Sequence, residues 1–127
     1  MILFTIGTTA KKTGISIGTL RFYEEKGLVS PNRNASKQRI YTEEQISLLT
    51  FIRYLRRSGM PINTIHYYLQ LAATGPETLS ERQAILQRQK ANILSEIDEK
   101  QHELAAINFK IAKNEKERAA FRLDNNI

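Results

Sequence analysis

A mainly α-helical chain, with a small basic module at its start and a long helix behind it, is what this sequence predicts. Three observations carry that prediction. Helix caps and glycine stops recur at short intervals through the first half. An unbroken run of 42 residues from Ser80 to Phe121 holds apolar residues on a seven-residue repeat. The formal net charge of +6 is unevenly spread, with +5 on residues 1–77 and only +1 on residues 78–127. Such a basic excess favours a polyanionic partner for the first part of the chain.

Taken in order, Ile6 to Thr13 reads as a short helix, with Thr8 or Thr9 near its cap and Gly14 just past its end. Ser16 caps a second helix that runs from Ile17 to Lys26 and closes at Gly27. Two short helices joined by a turn containing Gly14 match a helix-turn-helix unit. Its second helix turns Leu20 inward beside Ala10 and Ile15 and leaves Thr19, Arg21 and Tyr23 to other faces. Gly18 costs a helix interior about 1 kcal/mol against alanine, less near the first turn, and removes a side chain from a surface that could meet a groove.

From Leu28 to Tyr41 the helical period is lost. Pro31, Asn32, Asn34 and Ser36 are turn formers flanked by apolar pairs, which predicts a β-hairpin wing. The wing carries Arg33, Lys37 and Arg39, with no acid between Ser30 and Thr42. Thr42 and Gln45 form a capping box for a helix whose Ile46, Leu49, Ile52 and Leu55 recur every three residues until Gly59. Pro61 opens a further helix that reaches about Ala73 before Gly75-Pro76. Thr78 and Glu81 make a second capping box for the long helix, which at 1.5 Å per residue is about 63 Å. Of its thirteen a and d positions eight are large and apolar, among them Ile93, Ile97, Leu104, Ile107 and Ile111. So narrow a stripe needs a partner helix, and a second copy of the chain is the simplest one. The heptads alone leave parallel and antiparallel pairing open. These readings divide the chain into a winged helix-turn-helix module at 1–76, a dimerisation helix at 77–121 and a short tail at 122–127, and no separate effector domain is expected.

Composition excludes several classes of chemistry. The 127 residues contain no cysteine, which removes disulfides, thiolate metal sites and thiol nucleophiles. His66 and His102 are too few for a histidine metal cage, so neither a metal nor a cofactor is expected. No Ser/His/Asp set, carboxylate pair or Gly-rich phosphate loop suggests an enzyme. The chain has no run of eighteen apolar residues, and its start is too short and mixed for a signal peptide. A soluble cytoplasmic protein with no membrane partner is the expectation.

The segments FTIGTTAKKTGISIGTLRFYEEKGLVSPNR, QRIY and LRRSGMPINTI resemble the DNA-binding module of the MerR family of transcription regulators over roughly residues 3–71. The resemblance implies a winged helix-turn-helix and a homodimer joined by a long antiparallel coiled coil. It also implies a palindromic operator inside a promoter, bent and untwisted to realign the promoter for RNA polymerase. By the same resemblance, Arg21 reaches the major groove, where arginine can bond guanine through two edge acceptors. Ser16, also a cap, and Thr19 face the groove, and Tyr23 offers its hydroxyl to phosphate or is a plain core tyrosine. Arg39 and Tyr41 form the wing's R-x-Y phosphate contact, with anchoring of the hairpin to the core as the other role open to Tyr41. Arg56, before a second wing, matches a further phosphate contact. The chain is most similar to the short-tailed branch of aldehyde- and thiol-stress regulators. That branch carries a sensing cysteine where this chain has Tyr54, so a thiol trigger is not expected here. A reversible ligand or protein partner near Tyr54, His66 and Tyr67 is the expected alternative, although core packing is the plainer role for His66, Tyr67 and Tyr68. Oxidation of Met60, in the second wing, is a slower redox route. The rival reading is a coiled-coil scaffold with a nonspecific basic DNA anchor.

Overall fold

The computed structural model describes residues 1–125. The chain divides into two compact units, Met1–Gln89 and the residues from Lys90 on. In the first unit, β1 (Leu3–Thr5) leads directly into α1 (Ile6–Thr13), and a tight turn at Gly14 connects to α2 (Ile17–Glu25). The wing follows as β2 (Asn32–Arg33) and β3 (Arg39–Thr42), then α3 (Glu43–Arg57) and α4 (Ile62–Thr74). A single 3-10 turn at Pro76–Thr78 opens α5 (Leu79–Asn125), which continues into the second unit.

Strand β1 was not apparent from the sequence pattern. It pairs antiparallel with β3, Phe4 opposite Tyr41, so the wing is a three-stranded sheet of order β1-β3-β2. This strand also decides how α1 begins. Thr5 arrives with extended backbone and its side chain accepts from the Thr8 amide at 3.2 Å, so Thr5 is the cap that the sequence assigned to Thr8 or Thr9. Thr9 is buried instead. Gly14 ends α1 at φ 76°, a left-handed conformation that glycine adopts without a Cβ penalty.

The other punctuation is as the sequence predicts at most boundaries. Ser16 caps α2, and Thr42 with Gln45 completes a reciprocal capping box on α3. The second capping box does not form. Thr78 donates its hydroxyl to the carbonyls of Leu71 and Gly75, while the Glu81 carboxylate accepts from the Tyr67 hydroxyl. The extra 3-10 turn draws Thr78 back onto the end of α4, where the Leu71 and Gly75 carbonyls, which also accept the Gly75 and Thr78 amides, take its hydroxyl. At the far end, α5 runs past Phe121 to Asn125, through residues expected to form a tail, and Asn126 and Ile127 of that tail lie outside the described residues.

The core of the first unit lies where α1, α2, α3 and the sheet converge. Leu20, Tyr41, Leu49, Ile52 and Ile65 are fully enclosed, and Ile85 and Leu86 on the first turns of α5 pack against the same cluster. Met60 is also buried, at 2% exposure, so its thioether is shielded from oxidants and the second-wing redox route loses its exposed target. Gln89 fastens α5 to the end of α3, donating to the carbonyl and hydroxyl oxygens of Ser58 at 2.8 Å each. Among the described residues, no helix is long and apolar enough to cross a membrane.

Candidate nucleic-acid interface

Helix α2 is oriented by what it buries. Leu20 and Tyr23 turn into the core, and the opposite face presents Gly18, Arg21, Phe22 and Glu25 outward. A Cβ built at Gly18 would meet nothing within 4 Å, so this face is open at its centre. Arg21 is exposed and has no acidic partner among the described residues. It borders a cavity of about 340 Å³ with Thr5 and Ile6 at the start of α1 and with Arg33, Lys37 and Arg39 of the wing. Four cationic side chains therefore surround one concave surface shared by three elements.

The expected site residues separate into groups. Ser16 accepts from the Thr19 amide at 3.1 Å and donates to the Thr19 hydroxyl at 2.9 Å, so these two form a local cap at the start of α2. Tyr23 is only 6% exposed, with its ring tilted against Phe22. Tyr41 is fully buried, and its hydroxyl lacks a protein hydrogen-bond partner. That corrects the expected phosphate contact: β3 turns Tyr41 inward opposite Phe4, where it anchors the wing to the core. Arg56 is exposed, and one of its guanidinium nitrogens donates to the Met60 carbonyl at 2.9 Å, tying it to the turn before α4. Tyr54 and Tyr67 are exposed, while His66 is half-buried with its ring beside Gly27.

Arg39 is paired with a carboxylate from another element, Glu24 of α2. The Glu24 carboxylate takes a two-pronged contact from Arg39, Nε and Nη2 each at 3.1 Å, and a third from Arg33 at 3.4 Å. The hydrogen bond from Arg39 holds the Glu24 carboxyl below the usual carboxylate range, against the opposing effect of desolvation. Arg33 also donates to the Lys37 carbonyl, and Lys37 sits at φ 63° in the wing tip. Sequence spacing does not reveal this pairing, because the partners of Glu24 lie nine and fifteen residues away. The signal available was the acid pair Glu24-Glu25 at the end of a helix that directly precedes the all-basic segment between Ser30 and Thr42.

In the second unit, Ile97, Leu104, Ile107 and Ile111 are each about half exposed and Ile93 is partly covered, a continuous apolar stripe on one helix. Phe109, Phe121 and Leu123 are more exposed still.

A family model described as MerR HTH family regulatory protein matches residues 4–72, and a second, described as MerR, DNA binding, matches residues 46–111. A solved MerR family regulator lacking the sensor domain, HiNmlR bound to promoter DNA, aligns with TM-score 0.83 at 28% identity, over 87% of this chain and 85% of that one. A MerR family regulator from Bacillus thuringiensis aligns with TM-score 0.77 at 34% identity, over 88% of this chain and 99% of that one. Among curated proteins, the HTH-type transcriptional regulator YyaN of Bacillus subtilis is 42% identical over 59 residues, 46% of this chain and 43% of that protein. The match thus spans about two fifths of the length of such curated relatives.

Proposed function

The chain belongs to the MerR family of helix-turn-helix regulatory proteins, and from that premise we propose that it is a homodimeric, sequence-specific regulator of transcription. In this reading it binds a palindromic operator within a promoter, and bends and untwists that DNA so that RNA polymerase can engage it. The observation that carries the reading is the outward face of α2. An unpaired Arg21 and an open Gly18 stand beside a cavity ringed by wing cations. Arg21 reads a base edge, and Lys37, Arg39 and Arg56 bind phosphate. Arg39 does so through Nη1, which Glu24 leaves unengaged. Ser16 and Thr19 position the start of α2, and Tyr23 supports it from below.

The dimer reading draws on α5. Its apolar stripe needs a partner, and its charges are unevenly spread. Residues 96–103 carry Glu96, Asp98, Glu99 and Glu103 against Lys100, whereas residues 110–122 carry Lys110, Lys113, Lys116, Arg118 and Arg122 against Glu115 and Glu117. Antiparallel pairing of two copies sets acidic against basic stretches, and parallel pairing sets like against like.

Selection of duplexes from a random pool by the purified protein, followed by protection mapping, tests the proposal. A palindromic consensus is the expected result. On the selected duplex, Arg56→Ala should flatten the salt dependence by about one unit, as loss of one phosphate contact requires. Arg21→Ala should cost about 1–3 kcal/mol and relax preference at one base position. Salt-dependent binding without any selected sequence would overturn the reading in favour of a scaffold with a nonspecific anchor.

A further inference from the structure

Arg33 and Arg39 are direct cross-strand partners on the β2–β3 ladder. Like charges in that position repel. Glu24, from α2, reaches between them: Oε1 to Nε of Arg39, and Oε2 to Nη2 of both arginines. The paired fork with Arg39 is the stronger geometry for guanidinium and carboxylate, and both side chains are about three-quarters covered. The carboxylate thus joins α2 to both strands of the wing. It also offsets half the charge of that arginine pair, since two cations share one anion while Arg21 and Lys37 of the same cavity have no acidic partner among the described residues.

We propose that Glu24 sets the specificity of this module by holding Arg33 and Arg39 against α2 and so withholding them from arbitrary DNA. Free arginines on a mobile wing would bind any phosphate backbone. Arginines fixed to α2 reach phosphate only when α2 is itself seated in a matching groove. The inference rests on the DNA-binding reading above, and it makes Glu24 a positioning residue that acts through the wing.

The test compares wild type, Glu24→Gln and Arg39→Gln on two duplexes: the one wild type selects from a random pool, and a random sequence of equal length. Each variant breaks the same ion pair, so a purely structural role predicts similar losses of stability, and Glu25→Gln, which removes a neighbouring carboxylate that holds no arginine among the described residues, controls for net charge alone. The proposal predicts a gain in random-duplex binding for Glu24→Gln that clearly exceeds that of Glu25→Gln. Glu24→Gln frees two arginines, so random-duplex affinity rises about tenfold or more near 50 mM salt, with a salt slope steeper by one to two units. Affinity for the selected duplex rises less, and the ratio between the two falls. Arg39→Gln leaves random-duplex affinity unchanged or lower. If Glu24→Gln does not fold, Glu24→Gln in an Arg33→Gln background removes the cross-strand repulsion and must still bind random DNA more tightly than Arg33→Gln alone. Unchanged or weaker random binding by a folded Glu24→Gln protein, or a gain no larger than that of Glu25→Gln, overturns the proposal. A wild-type protein that selects no duplex overturns the regulator reading itself, a distinguishable result.

Discussion

A tyrosine hydroxyl enclosed without a hydrogen-bond partner is costly, because the group gives up water and gains nothing in return, a penalty of about 1–3 kcal/mol. Tyr41 is in that position. Burial pushes its hydroxyl's pKa up, with the Glu24 charge adding to the effect, so it stays protonated throughout the physiological range. The ring, opposite Phe4 and fully enclosed, is the part that holds the wing to the core. Tyr41→Phe keeps the ring and removes the unpaired oxygen. Its thermal or urea midpoint should therefore stay constant or rise by up to about 1 kcal/mol equivalent, and its affinity for the selected duplex should not change. Loss of more than about 1 kcal/mol would show that the hydroxyl has a partner in solution. At this scale sequence reading reached its limit, because R-x-Y spacing puts Arg39 and Tyr41 on the same side of β3 and cannot say which partner each finds. Glu24, contributed by another element, claims the first, and the core claims the second.

Helix boundaries carried more information than single residues. Gly14, Ser16, the Thr42–Gln45 box and Pro61 act at their own positions through local geometry, so the sequence could mark them without knowing the fold. Thr5 and Thr78 could not be read in that way. The first becomes a cap only because β1 pairs with β3, and the second is diverted by carbonyls at the end of α4. Three-residue β1 has no period long enough to detect. Helix α2 shows the opposite tension, between its own stability and its surface. Gly18 lies in the first turn with open space around it, and an added methyl group would meet no neighbour. Gly18→Ala should therefore stabilise the protein by about 0.4–1 kcal/mol, measured by thermal or denaturant unfolding. If α2 approaches DNA closely along this face, the same change weakens binding to the selected duplex while raising the melting temperature. A variant that is more stable and binds as well as wild type would place Gly18 away from the contact.

For the whole molecule, the decisive quantity is the apolar surface that the second unit leaves in water. Ile97, Leu104, Ile107 and Ile111 recur along one stripe of α5 and are each about half exposed in a single chain. A helix gains little from burying such a stripe against itself, so association of two copies supplies the burial. Pairing Ile97→Asp with Leu104→Asp would place unpaired charges in the seam, which costs several kcal/mol and should yield monomers in sedimentation together with lost duplex binding. A wild-type protein that is monomeric at micromolar concentration would remove the dimer from the reading. Orientation can be tested separately, because the chain has no cysteine of its own to confuse a crosslink. Parallel pairing brings residue 97 of one copy against residue 97 of the other. Antiparallel pairing, which the acidic excess of residues 96–103 and the basic excess of residues 110–122 favour, carries residue 97 away from its counterpart. Ile97→Cys should therefore resist intersubunit disulfide formation under mild oxidation, since two cysteines must come within about 7 Å between Cα atoms to be bridged. Rapid crosslinking of the single Ile97→Cys variant would instead establish parallel pairing and put the acidic stretches side by side.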